Sequence, residues 1–208
     1  MKIAIFLYDN MTALDVIGPY EVLSRLPEAE VKFVAESKGI VRTDMKSLGI
    51  SADYSIDEID DCDIFLVGGG PGDEAVRNNA RVIDWVRRID QTTTWTASVC
   101  TGSLILAKAG ILDGKNATSH FAALETLEEL GAKPTGQRVV IDGKVITGAG
   151  VSAGIDMGLT LFAKIAGDDF AQVLQLGIEY DPQPPFDCGS PEKASPEMIE
   201  MVKATLAA

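Results

Sequence analysis

The chain has 208 residues, 46% of them hydrophobic and 24% charged, the balance of a folded globular protein rather than a disordered or membrane chain. Eighteen Lys and Arg against 31 Asp and Glu leave a formal net charge of −13, a field that repels phosphate backbones and anionic lipid headgroups. Nucleic acid and membrane surfaces are therefore excluded as expected partners, and no apolar run reaches the roughly 18 residues of a membrane span.

The length suits one domain, 1–208, able to bury a sizeable core. Cys62, Cys100 and Cys188 are odd in number and show no metal-ligand spacing, so free thiols, no metal and a reducing, cytoplasmic compartment are expected.

Short β-branched runs alternate with helix-length segments, the pattern of parallel strands joined by crossover helices. Ile3 to Tyr8 reads as the first strand. Asp15 to Leu26 carries Val16, Tyr20, Leu23 and Leu26 at helical spacing, with Gly18-Pro19 suited to a first turn. Val31 to Ala35 is a second strand, and residues 39 to 55 predict a β-hairpin or small excursion. Ile64 to Val67 is a buried strand running into Gly68-Gly69-Gly70-Pro71-Gly72, followed by a helix bearing Val82, Trp85, Val86 and Ile89.

Thr92 to Val99 predicts a strand, and Gly102 to Gly110 a helix capped by Gly110. Asn116 to Thr118 is a short strand and Phe121 to Leu130 a helix closed by Gly131. Val139 to Ile141 and Val145 to Thr147 flank the hairpin turn Asp142-Gly143. Helices over about Ala153 to Ala166 and Asp168 to Ile178 precede a tail with prolines at 182, 184, 185 and 191, which cannot be helical and should lie extended over the surface. A last helix, Ser195 to Leu206, places Met198, Ile199, Val202 and Leu206 on one face, with Ser195 as N-cap and Pro196 at the first helical position.

Cys100 stands where a strand meets a helix, so its sulfur should emerge at the carboxyl end of a parallel sheet, where open α/β folds place their sites. The geometry is that of a nucleophile elbow, and the following helix dipole is expected to depress the thiol pKa. Against this stands a buried structural cysteine, the commoner fate of a lone thiol.

The glycine-rich turn at 68–72 lacks P-loop and dinucleotide spacing; either the amides of Gly69 and Gly70 serve as oxyanion or substrate donors, or the turn is only a tight connection. Asp15 should reach the same sheet edge as Cys100 and hold a proton for transfer, or else simply cap a helix. Thr101 can bond substrate or cap its helix. His120 is the only histidine and serves either a structural hydrogen bond or the chemistry.

Leu14-Asp15-Val16-Ile17-Gly18-Pro19, Val67-Gly68-Gly69-Gly70-Pro71-Gly72, Ser98-Val99-Cys100-Thr101-Gly102-Ser103, Ala117-Thr118-Ser119-His120, Gly148 through Asp156, and Glu179-Tyr180 through Pro184-Pro185-Phe186 together resemble the ThiJ/PfpI (class I glutamine amidotransferase-like) superfamily. Within it they are most similar to the isocyanide hydratase branch. The resemblance implies a flavodoxin-like three-layer sandwich with a mostly parallel central sheet and helices on both faces. It also implies a homodimer, and a cysteine nucleophile partnered by an acid from the loop after strand one, here Cys100 and Asp15.

Protease-like members carry His after the cysteine, where this chain has Thr101; Phe121 stands where hydratases often have Trp, and Cys188 where a small residue is usual. The implied reaction turns an isocyanide and water into an N-substituted formamide through a cysteine thioimidate, with no cofactor. Two other readings stay open: a glyoxalase or deglycase, and a redox- or ligand-sensing module that performs no turnover.

Overall fold

The computed structural model describes residues 1–206. In chain order, β1 (Lys2–Phe6), α1 (Ala13–Leu23), β2 (Glu30–Ala35), β3 (Gly39–Arg42), β4 (Gly49–Ala52) and β5 (Tyr54–Ser55) lead into β6 (Ile64–Val67), α2 (Asp73–Arg77), α3 (Ala80–Asp90), β7 (Trp95–Val99) and α4 (Gly102–Lys108). The second half runs through β8 (Asn116–Ala117), α5 (Leu124–Glu129), β9 (Lys133–Pro134), β10 (Val139–Asp142), β11 (Val145–Gly148), α6 (Ala153–Ala166), α7 (Asp168–Gly177) and α8 (Pro196–Leu206).

Seven strands form the central sheet in the order β10-β11-β7-β6-β1-β2-β5. Every neighbouring pair is parallel except β10 with β11, the hairpin expected at Asp142-Gly143. β6, Ile-Phe-Leu-Val, is buried at all four positions, as a strand covered by helices on both faces must be. The layers separate accordingly: α1, α6 and α7 pack together, and α2, α3, α4 and α5 form the other group. This is the flavodoxin-like sandwich, and its crossovers run outward in both directions from β1.

The helices form for local reasons. In α3 the side chain of Asn79 accepts a hydrogen bond from the Val82 N–H, and Val82, Ile83, Trp85, Val86 and Ile89 form one buried stripe. Trp85 enters the core with Phe6 and Phe65, and its indole N–H donates to the Ile59 carbonyl at 2.9 Å, so no polar group is left unsatisfied there. Gly110, at φ +79°, ends the α4 segment as expected.

Several boundaries differ from the sequence reading. α1 begins at Ala13, so Pro19 falls inside the helix rather than in its first turn. The 39–55 excursion is a separate antiparallel pair, β3 with β4, followed by β5 on the main sheet edge. The expected helix over Phe121 to Leu130 opens as a 3-10 turn, Phe121–Ala123, before α5. α2 and β9 were not expected at all: five and two residues are too short to show a period.

The proline-rich segment is irregular and exposed. In α8 Ser195 accepts from the Met198 N–H at 3.4 Å, consistent with its N-cap role. The side chain of Leu206, the expected fourth member of that apolar face, lies outside the described residues. No helix among the described residues is long and apolar enough to cross a membrane.

Candidate active site

Parallel register brings four strand ends to one edge. Phe6 of β1 pairs with Val67 of β6, Val67 with Ser98 of β7, and Val99 of β7 with Gly148 of β11. The segments that follow β6, β7 and β11 therefore emerge side by side as Gly68, Cys100 and Ala149, with the turn from β1 to α1 next to Gly68. This edge lies where the crossovers diverge on either side of β1, the position at which open α/β sheets bind ligands.

Cys100 is 5% exposed and adopts φ +58°, a conformation that L-residues rarely hold. The surroundings enforce it. Its N–H lies 2.7 Å from the Ala149 carbonyl and 3.1 Å from that of Gly148, while its carbonyl accepts from the hydroxyls of Ser103 (3.1 Å) and Ser119 (3.0 Å). A residue so pinned turns its side chain out of the strand direction, the strained elbow expected of a nucleophile.

Asp15 is fully buried and belongs to the first turn of α1, not to a preceding loop. It is not the N-cap. That position is Thr12, whose hydroxyl donates instead to Asp44 at 2.8 Å. One Asp15 oxygen, Oδ2, accepts the Gly69 N–H at 2.8 Å, and the other, Oδ1, is buried without a hydrogen-bond partner. Such an oxygen is costly when ionised and comfortable when it carries a proton.

Burial pushes the Asp15 carboxyl up to about 7, opposed by the Gly69 N–H and by Cys100, with the Asp44 charge adding to the rise. Burial also pushes the Cys100 thiol well above its ordinary value, helped by the Asp15 charge and opposed by the Thr101 N–H. The thiol is thus raised rather than depressed as expected, because desolvation at the closed sheet edge outweighs the single amide at the start of the seven-residue α4. Carboxyl and thiol behave as one unit that keeps a proton near neutrality.

The glycine-rich turn does a job that the sequence reading assigned otherwise. Gly69 donates to Asp15, and Gly70 donates to the Thr101 hydroxyl oxygen at 3.0 Å, so both amides hold site side chains in place. A Cβ on Gly69 would sit 2.4 Å from the Thr101 nitrogen, and Gly70 has φ +134°, so both positions require glycine. Thr101 does not cap α4 through its side chain. Its oxygen accepts from Gly70, which leaves its O–H proton free to donate.

Sequence reasoning missed the two hydroxyls on the Cys100 carbonyl, and Tyr8, whose phenol donates to the Gly68 carbonyl at 2.9 Å. Ser103 and Ser119 lie inside motifs already singled out, but nothing in one dimension shows that both point at the same carbonyl. His120 is half-buried, and burial lowers its pKa. Its Nδ1 accepts the Ala122 N–H at 3.3 Å, which leaves Nε2 to carry the proton. Among the described residues it makes no hydrogen bond to Cys100 or Asp15. It lines a cavity of about 750 Å³ together with Leu14, which precedes Asp15, and with Ser119 and Ala149, which hydrogen-bond the Cys100 backbone.

Residues 1–164 match the model of the DJ-1/PfpI family. An isonitrile hydratase of Pseudomonas putida is 38% identical over 200 residues, covering 96% of this chain and 87% of its own length. Deglycase PfpI of Pyrococcus furiosus is 28% identical over 151 residues, 71% of this chain and 89% of that protein. The crystal structure of a ThiJ/PfpI family protein from Pseudomonas syringae superposes with a TM-score of 0.95 at 36% identity, covering 99% of this chain and 86% of that one. In sequence and in fold, the chain belongs to the DJ-1/PfpI family.

Proposed function

We propose that this protein is an isocyanide hydratase in which Cys100 is the nucleophile and Asp15 the proton carrier. The observation that carries the reading is the pair itself: a thiol on a strained elbow beside a wholly buried carboxyl with one oxygen unpartnered. The 38% identity to an isonitrile hydratase along nearly the whole chain supports the substrate class.

An isocyanide, R–N≡C, needs a nucleophile and a proton at the same terminal carbon. The singly protonated pair holds both. As the Cys100 sulfur bonds to that carbon, Asp15 delivers the pair's proton to it, giving the thioimidate Cys100–S–CH=N–R. Asp15, now ionised, takes a proton from a water that attacks the same carbon, and the Thr101 hydroxyl orients that water. The hydrated adduct collapses: the C–S bond breaks, nitrogen gains a proton, and R–NH–CHO leaves as the thiol is restored. The sum is R–NC plus H₂O giving the formamide, with no change of oxidation state at sulfur.

Gly69 and Gly70 serve this chemistry by fixing Asp15 and Thr101. We further propose that the chain acts as a homodimer in a reducing, cytoplasmic setting that keeps its thiols free.

Formation of formamide from cyclohexyl isocyanide tests the reaction. Cys100→Ala is expected to abolish it and Asp15→Asn to lower kcat by about 10² or more, the usual range of a proton-transfer group. Turnover that survives Cys100→Ala contradicts the mechanism. The relationship to a deglycase supports a second reading, action on methylglyoxal. Lactate formed as fast as formamide would favour it.

A further inference from the structure

The cavity lined by Leu14, which precedes Asp15, and by Ser119 and Ala149, which hydrogen-bond the Cys100 backbone, has one wall built from residues past the family match at 1–164. Pro191 of the irregular tail and Ile199 of α8 line it together with Leu14, Phe121 and Val151. The alignment with the isonitrile hydratase takes in nearly this whole chain, and that with the deglycase covers 71% of it. The wall is therefore an addition to the shared domain, on the cavity whose other side is formed by neighbours of Asp15 and Cys100.

Size and chemistry limit what this cavity holds. It has about 750 Å³ and opens to solvent, whereas an isocyano group is two heavy atoms long. The remaining space belongs to R, and it falls in the range of pockets that bury a sizeable organic group. The two cationic side chains at its edge are already committed, Arg138 to Asp156 at 2.5 Å and Lys203 to Glu200 at 3.3 Å. Glu192, also at the edge, and the net charge of −13 disfavour an anionic R. What faces R from the walls is mainly carbon.

We propose that the tail and α8 form the pocket for R. The pocket selects isocyanides whose R is bulky, neutral and apolar, aryl or cycloalkyl, over methyl isocyanide, and Ile199 determines that selectivity. The inference rests on the isocyanide reading given above. Ile199 is partly exposed at the cavity, so a larger side chain there fills the pocket without entering the core.

The test compares kcat/KM for phenyl and methyl isocyanide in the full chain, in the wild type and in Ile199→Trp and Ile199→Ala, with circular dichroism to establish folding. The wild type is expected to prefer the phenyl substrate. Ile199→Trp is expected to lower the phenyl-to-methyl ratio about tenfold or more, chiefly through KM, and Ile199→Ala to lower it by a smaller factor through the lost apolar contact. A ratio unchanged in Ile199→Trp overturns the assignment. If that variant does not fold, a phenyl preference absent from the wild type overturns it equally.

Calorimetric binding of N-phenylformamide separates this idea from the reaction it rests on. Should the wild type hydrate neither isocyanide yet bind N-phenylformamide, with binding lost in Ile199→Trp, the reaction reading fails and the pocket stands. If neither turnover nor binding is seen, both fail.

Discussion

Asp15 and Cys100 make opposite demands on pH. The reactive pair holds one proton, and it forms from the doubly protonated pair as pH rises through about 7, the value to which burial brings Asp15. kcat/KM is therefore expected to fall below pH 7 with the loss of one ionisation. Asp15→Asn should abolish that limb, because an amide does not titrate, and leave a profile governed by the thiol alone, shifted to alkaline pH. A wild-type profile flat from pH 5 to 8 contradicts the assignment.

Stability runs the other way. A carboxyl whose folded pKa lies above its unfolded 3.8 favours the folded state fully below that value, and the contribution is lost as pH rises through about 7. The ionised form then costs the fold on the order of 4 kcal/mol as an upper figure. Asp15→Asn keeps an acceptor for the Gly69 N–H and removes the charge. It is expected to raise the melting temperature at pH 8 and to raise it less than half as much at pH 5. Equal effects at both pH values would falsify a buried, titrating Asp15.

At the scale of elements, the site depends on how closely the glycine-rich turn approaches α1 and α4. Gly69 has Asp15 hydrogen-bonded to its amide on one side and the Thr101 nitrogen within 2.4 Å of where a Cβ would lie on the other. Gly69→Ala must push these apart, an overpacking that costs about 1–3 kcal/mol. A lower urea midpoint is expected together with a loss of kcat, since Thr101 and Asp15 move with the turn. Full activity in this variant would show that the turn does not position the pair.

The same scale shows what a single sequence can reveal. Cys100 was visible because a β-branched strand, Trp95–Val99, abuts the apolar run of α4, and that junction places a side chain at a sheet edge whatever surrounds it. Asp15 was visible as a candidate, but its burial was not, because that depends on Gly69, 54 residues away. α2 and β9 were hidden by their brevity. Pro19 was misplaced because a helix held by tertiary packing tolerates a proline beyond its first turn, which local preference does not foresee. The hydroxyls of Ser103 and Ser119 were hidden for the same reason as Asp15: convergence on the Cys100 carbonyl is a property of the fold.

Across the whole molecule, an apolar stripe on α7 is among the exposed surfaces that can meet a partner. On α7, Phe170, Val173 and Leu176 recur every three residues and are 68%, 69% and 78% exposed, a stripe whose burial is worth roughly 1.5–3 kcal/mol per side chain. A second copy of the chain is its proposed cover. Leu176→Glu is expected to shift sedimentation from dimer to monomer, and a wild type that sediments as a monomer contradicts the homodimer.

The sheet and both helix layers meet at Cys100, and the central claim is that a carbon–sulfur bond forms there. Intact-mass spectrometry of the protein acid-quenched during turnover of cyclohexyl isocyanide reads that bond directly. The account requires a gain equal to the mass of one isocyanide, mapped to Cys100 and absent from Cys100→Ala. Formamide produced steadily with no such adduct, by a protein in which Cys100→Ala remains active, would contradict it.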